Sequence, residues 1–366
     1  TRVTEVTGHP LVEAARELAT QLLEPQAAAV DGSVVPRSHL QALADAGLLG
    51  LLAPVEAGGA DASVAVFREV NELLAGADAA TWFVQAQHHS VVRMLASFPG
   101  PAADRYLSRL ASGELIAGIA FSHLRRFPDR PVVARPVDDG WRLDGVAPWY
   151  TGWGLNDVAF LSGVTDDGEV IFGAVPAQQG GGLTMKTALR TSALDAACTV
   201  GLRLDGVIVA NEDVALRQPH AQWLAGDTLV ANANAAIFGV AASAVELLRS
   251  TGAARDEPAT THAAEIFGAQ LADVRARCYA LADTVPPGDA IDERLELRAI
   301  ALELLVAVTS ALVAANAGPA MAVGSPAQRK AREALFLLVQ AQTGPARVAT
   351  LERWSATATA RSSTQG

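Results

Sequence analysis

Cysteine is nearly missing from this 366-residue chain. The two present, Cys198 and Cys278, are far apart and belong to no metal-ligand spacing. That excludes a disulfide framework and a cysteine-built metal centre, and no metal site is expected. Two reduced, mostly buried thiols fit a cytoplasmic protein. Positive charge is also scarce: 28 basic against 39 acidic residues give a net charge of −11, which argues against nucleic acid as the main partner. Residues 1–10 have no apolar core behind a basic start, so no signal peptide is expected. Long unbroken apolar runs are lacking too. The most apolar stretch, residues 299–323, is interrupted by Glu303, Thr309, Ser310 and Asn316, and reads as a buried helix rather than a membrane span. There is no P-loop, no Rossmann glycine fingerprint, no Ser-His-Asp order, no internal repeat and no low-complexity linker. What is present is an apolar half and only 18% charge, enough for sizeable cores and too little polarity for disorder.

The pattern changes character twice. From residue 10 to about 113 apolar residues recur at helical spacing, as in Leu11, Ala14, Ala15, Leu18, Ala19 and Leu22. Pro36, then His39 to Gly47, reads as a short helix closed by glycine, and Pro54 to Gly59 as a turn. Helical spacing returns over 63–74 and 79–98. From 115 to 216 short apolar runs alternate with turns at Asp138-Asp139-Gly140, Asp166-Asp167-Gly168 and Asp205-Gly206, the signature of antiparallel strands. Helical spacing resumes at Trp223, with long helices expected over 227–249 and 263–282, then 291–317 and 327–338, in an up-and-down bundle. The spans are an N-terminal all-α domain (1–114), a middle β domain of barrel or sandwich type (115–218), a C-terminal helical bundle (219–354) and a loose tail (355–366).

Local motifs add to this order of blocks. The run Gly140-Trp141-Arg142-Leu143-Asp144-Gly145-Val146-Ala147-Pro148-Trp149-Tyr150-Thr151-Gly152 resembles a segment of the acyl-CoA dehydrogenase family. In that family it carries Trp-Ile-Thr-Asn. The run Arg332-Glu333-Ala334 through Ala341-Gln342-Thr343 resembles its Arg-Asp-Ala … Glu-Gly-Thr segment, with Ala341 at the place of the catalytic glutamate. The chain is thus similar to acyl-CoA dehydrogenases over nearly its whole length, as a mainly α protein with a central β domain and a C-terminal four-helix bundle.

The resemblance implies FAD as cofactor. Trp149 would stack on the flavin, Thr151 would hydrogen-bond its reactive nitrogen, and Thr343 falls on the family's threonine. The family's Thr-Glu-Pro-Gly-x-Gly-Ser-Asp motif appears as Ala120 to Asp129, where Ser122 replaces the flavin-facing threonine and the Gly-Ser-Asp part is gone. His123 takes the acid position of that motif, near an anionic substrate or reduced flavin. Arg125 and Arg126 either pair with a pyrophosphate or acidic carrier, or form a solvated surface pair. The family's Arg-x-x-Phe-Gly segment leaves only Arg255 nearby, and its later Gly-Gly-x-Gly-Tyr loop leaves only Gly318. Those segments contact FAD in the family, so the resemblance implies fewer cofactor contacts here.

With Ala341 at the usual site, a base must come from elsewhere. The isovaleryl- and long-chain branch of the family carries its glutamate near the start of the first long bundle helix. Asp227 aligns there, and it also stands where a helix cap belongs. The implied reaction is α,β-dehydrogenation of an acyl thioester, on CoA or a carrier protein. An electron-transfer flavoprotein or similar acceptor would reoxidise the cofactor, in a homodimer or homotetramer. Two other readings stay open: a flavin monooxygenase of the same fold, and a silent subunit of a heteromeric dehydrogenase.

Overall fold

A computed structural model describes residues 6–363. Two compact units emerge: one holds the chain up to Val70 together with residues 80–224, the other holds residues 71–79 and everything from Ala225 onward.

The first unit opens with α1 (Pro10–Leu18) and α2 (Glu24–Asp31), joined by a π-helical turn over Ala19–Leu23. His9 caps α1, its Nδ1 accepting from the Leu11 amide at 3.3 Å. Next comes α3 (Arg37–Asp45), whose end is closed by Gly47 at φ 71° as the glycine predicts. α4 (Val64–Ala77), α5 (Ala79–Ser97) and α6 (Pro101–Ala111) complete the N-terminal helices. Of these, α2 and α6 have no separate range in the sequence expectation, though both lie within the span expected to be all helix.

Eight strands follow: β1 (Ala117–Ala120), β2 (Val132–Val137), β3 (Gly140–Tyr150), β4 (Val158–Val164), β5 (Glu169–Pro176), β6 (Leu183–Ala188), β7 (Val200–Ala210) and β8 (Val214–Pro219). They form one mixed sheet in the order β6-β7-β3-β2-β4-β5-β8, with β1 added parallel to β4. Val137 pairs with Gly140 across the Asp138-Asp139 turn, the tight hairpin the sequence predicts. Asp205-Gly206 is different: instead of a turn it is a bulge inside the eleven-residue β7, with Gly206 at φ 70°. The ladder with β3 shifts register there, and an αL glycine is what such a bulge needs.

The sheet curls so that one face closes on itself. A Cβ on Gly173 of β5 would meet Val209 of β7, although the two strands are not hydrogen-bonded neighbours. Every residue of β4 is buried, because both faces are covered. Val158, Phe160 and Val164 join a core with Val91 and Leu95 of α5 and Leu107 and Leu110 of α6, while Ala159 and Leu161 join an all-strand core with Leu143, Leu202 and Val209.

The second unit is a bundle of α8 (Ala235–Arg255), α9 (Pro258–Thr284), α10 (Ile291–Asn316), α11 (Pro326–Val339) and α12 (Gly344–Ser363); the short α7 (His220–Gly226) ends one unit and begins the other. The first long helix starts later than its apolar pattern suggests. Residues Asp227–Ala231 form a separate 3-10 turn, and Asn234 caps α8 by accepting from the Ala236 amide at 3.0 Å. Gly239 of α8 packs against the end of α4 so closely that a Cβ would sit 2.1 Å from the Glu72 carbonyl oxygen. Residues 355–363, expected to be loose, continue α12; residues 364–366 lie outside the described residues. The spans His220–Arg255 and Ile291–Asn316 are long and apolar enough to cross a membrane. Half of the first apolar window and 56% of the second are buried, as in core helices of a bundle.

Candidate functional site

The site residues expected from the sequence fall into one group in each unit. In the first unit, β1 runs into a 3-10 turn, Ser122–Arg126, which carries Ser122, His123, Arg125 and Arg126 together. Ser162 of β4 pins this turn. Its hydroxyl donates to the Ala120 carbonyl at 2.7 Å, and its own carbonyl oxygen lies 3.0 Å from His123 Nε2. His220 holds the turn from below, with Nε2 2.8 Å from the Leu124 carbonyl. Both histidines face carbonyl oxygens through Nε2, so each donates there.

The environment of each residue decides what it offers. His123 is 1% exposed, and burial drives its pKa down to about 4. It is neutral near pH 7, so it cannot serve as a cation facing an anionic substrate; its Nδ1 is a buried acceptor with no hydrogen-bond partner among the described residues. Ser122 Oγ is likewise buried and without a partner. Arg125 is half-buried with its guanidinium 5.3 Å from the Phe121 ring centre, and Arg126 is exposed.

The end of β3 supplies the second element. Trp149 is 53% exposed, an unusual state for so large an apolar ring. Thr151 is buried two residues on, its hydroxyl 3.0 Å from the Thr199 hydroxyl. Asn156 fixes the backbone here: its Nδ2 donates to the Thr151 carbonyl at 2.8 Å and to the Tyr150 hydroxyl at 3.1 Å. β1 passes directly beside this cradle, since a Cβ on Gly118 would overlap Asn156 Nδ2 and the Tyr150 hydroxyl. The structure therefore brings β1, which leads to Ser122, against the strand end that carries Trp149 and Thr151. Thr199 and Asn156 were not anticipated. Thr199 reaches Thr151 only because Tyr150 pairs with Val200 across β3 and β7, and nothing local in the sequence announces that.

In the second unit Asp227 is half-buried in the Asp227–Ala231 turn. It does not cap the first long helix, because that place belongs to Asn234. Ala341 lies on the link between α11 and α12 with φ 51°, a left-handed conformation uncommon for alanine. Thr343 Oγ1 accepts from the Ala346 amide at 3.3 Å, an N-cap interaction at the start of α12. The turn and the link are held together by α10. Buried Arg298 donates to the Val230 carbonyl, to the Gln340 carbonyl at 2.9 Å and, more weakly, to the Ala341 carbonyl at 3.4 Å. Asn234 Nδ2 adds a contact to Gln340 Oε1 at 3.3 Å. One turn before Arg298, Arg294 donates to Asn232 Oδ1 at 2.7 Å and to the Asp289 and Val285 carbonyls, each at 2.8 Å.

Residues 8–114 match the family model of the acyl-CoA dehydrogenase N-terminal domain. The whole chain superposes on butyryl-CoA dehydrogenase from Megasphaera elsdenii with a TM-score of 0.80 and 17% identity, covering 94% of this chain and 97% of that one. The chain has the acyl-CoA dehydrogenase fold.

A structure from work on the electron transferring flavoprotein of Acidaminococcus fermentans is equally similar, with a TM-score of 0.81 at 18% identity over 94% of this chain and 96% of that one. Dibenzothiophene monooxygenase from Paenibacillus sp. A11-2 gives 0.76 at 19%, over 90% and 92%. The acyl-CoA dehydrogenase fold thus spans dehydrogenases and a monooxygenase. No curated protein sequence matches this chain.

Proposed function

We propose that this chain is a flavin-dependent oxidoreductase that dehydrogenates an acyl thioester between Cα and Cβ. The observation that carries the reading is the end of β3, where a half-exposed indole adjoins a buried hydroxyl pair, next to the strand that leads to the partnerless Ser122 Oγ. A flat heteroaromatic ring with hydrogen-bonding nitrogens and oxygens fits those groups. Bound FAD would supply hydride acceptance. Trp149 would cover the face of its ring system, Thr151 would donate a hydrogen bond to its reactive nitrogen, and Ser122 would give its hydroxyl to the ring's polar edge. Arg125 and Arg126 would meet the phosphates or an acidic carrier. His123, being neutral, would serve as an acceptor through Nδ1.

Asp227 is the base in this reading. Its carboxylate takes the α proton, the role that Ala341 cannot fill. Thr343, whose hydroxyl oxygen accepts from the Ala346 amide, would contribute to cofactor binding through its remaining O–H donor. An electron-transfer flavoprotein or similar acceptor would take up the electrons, in the cytoplasm, and the protein would act as a homo-oligomer. Asp227→Asn tests the assignment. Anaerobic reduction of the flavin by acyl-CoA should fall by about 10²- to 10⁴-fold, the usual contribution of a general base, with flavin content unchanged. Undiminished reduction would remove Asp227 from the mechanism.

Ala341 also favours a second reading. A monooxygenase needs no α-proton base, and dibenzothiophene monooxygenase shares this fold. Oxygen consumption with a reduced flavin supply, and no enoyl product, would establish it. A purified protein without visible flavin absorbance would instead indicate a silent subunit.

A further inference from the structure

We infer that Arg298 is a positioning residue that locks the Asp227-bearing turn to the α11–α12 link, so that the two segments move as one. The inference rests on the reading of Asp227 as base. Its geometric part stands without that reading.

Arginine in the interior of a helix is costly to bury unless its donors are used. Arg298 is 4% exposed, and its two terminal nitrogens donate to main-chain carbonyls of two segments far apart in sequence: Val230 on one, Gln340 and Ala341 on the other. Each segment has a main-chain turn bond of its own, the Asn232 amide donating to the Leu229 carbonyl at 3.1 Å and the Gln342 amide to the Val339 carbonyl at 3.2 Å, but neither bond ties one segment to the other. The 3-10 turn Asp227–Ala231 has no side-chain cap of its own, and the link passes through the left-handed Ala341. Beneath them the apolar support is small: Ala231, Leu295 and Ala346, with Ile291 and Ala349 at its margin. Charged hydrogen bonds are the stronger kind, and the planar guanidinium reaches both segments in one fixed geometry that an ammonium cannot copy. Arg294 anchors Asn232 from the same face but sends its other bonds to residues 285–289, whereas Arg298 bonds both the turn and the link.

The physical consequence is a shared register. The link occupies the place where related enzymes carry their glutamate, according to the sequence resemblance. The turn carries the replacement carboxylate. Arg298 would hold the replacement at a fixed position relative to the vacated one, and a shift of about 1 Å in a catalytic group costs about 100-fold in rate.

Arg298→Lys in the full-length flavin-bound protein tests this. Amide hydrogen exchange should rise together over residues 227–232 and 340–343, while α9 stays protected. Increased exchange in only one segment, or in neither, overturns the lock. This readout needs no activity, so it separates the failure of the inference from the failure of the proposed reaction. For the functional part, the limiting rate of flavin reduction by acyl-CoA should fall at least about tenfold with little change in half-saturating substrate concentration. In the Asp227→Asn background the same substitution should cost almost nothing further. An equal loss in both backgrounds would show a general structural effect and overturn the positioning role. If Arg298→Lys does not fold, exchange in the unsubstituted protein decides: as denaturant rises, residues 227–232 and 340–343 should open in one common step, and separate openings overturn the lock.

Discussion

At the residue scale the first unit keeps three histidines neutral by burial. His88 and His89 lie in α5 and His123 on the turn after β1; all three are almost fully buried, with pKa values lowered to about 4, about 3 and about 4. Desolvation is the main cause each time, and for His89 the adjacent His88 adds to it. The unfolded chain titrates near 6.5, so it binds protons the folded chain refuses. The stability these residues allow is fully present above about pH 6.5. It is lost as pH falls towards 4, and the loss saturates below the folded pKa values. Unfolding near pH 5 should therefore take up about three protons from these side chains, and His88→Gln should reduce that uptake by about one. Denaturant midpoints measured against pH give both numbers. Trp149 offers a second residue-scale test. Trp149→Ala removes a half-exposed ring and should leave the fold stable, yet weaken flavin retention by about tenfold, the worth of one aromatic stacking contact. Flavin release on dilution measures it.

At the element scale α11 carries a buried charge cluster on the bundle side. Lys330 Nζ donates to Glu333 at 2.8 Å and to the Gly76 carbonyl at 2.7 Å, and Arg329 stands 3.4 Å from the same carboxylate. Burial pushes the Glu333 carboxyl upward while the two cations pull it down. Lys330→Met would leave a buried carboxylate with one partner fewer and an unpaired carbonyl. A loss of about 3 kcal/mol is expected, read from urea unfolding. How far elements were legible in the sequence follows from what defines each. Asp138-Asp139-Gly140 specifies a hairpin by itself, and Gly47 ends α3 by itself. Asp205-Gly206 does not, because the same dipeptide serves a turn or a bulge and only the partner strand decides. The start of α8 is ambiguous in the sequence for a similar reason: Gly226-Asp227 and Asn234 both have capping chemistry, and the structure gives the cap to Asn234. The Trp149–Thr151 cradle was visible as a motif, whereas its supports Thr199 and Asn156 arise from strand register and a loop contact. Arg294 and Arg298 are one turn apart, but they sit among Asp292, Glu293 and Glu296, so the sequence does not mark them as buried.

At the scale of the whole molecule, the outer helices of the bundle keep apolar side chains in water. Leu335 and Val339 of α11 and Val348 and Leu351 of α12 are each at least half exposed, spaced one turn apart on their helices. Such a grouping is costly in an isolated monomer. The homo-oligomer proposed above would cover it, and sedimentation should find a dimer or tetramer that Leu335→Glu with Val339→Glu converts to monomers. Persistence of the oligomer in that double variant would place the interface elsewhere.

One last consequence belongs to β4. Because its two sides serve separate cores, damage there sorts by parity. Trimming an even-numbered side chain such as Phe160 loosens the helical layer of α5 and α6, and trimming odd-numbered Leu161 loosens the strand interior behind Leu143 and Val209. Ser162 is even-numbered and ties the turn that carries Ser122 and His123. The turn that carries these proposed contacts is therefore tied to one side of a single strand, away from the strand interior on the other.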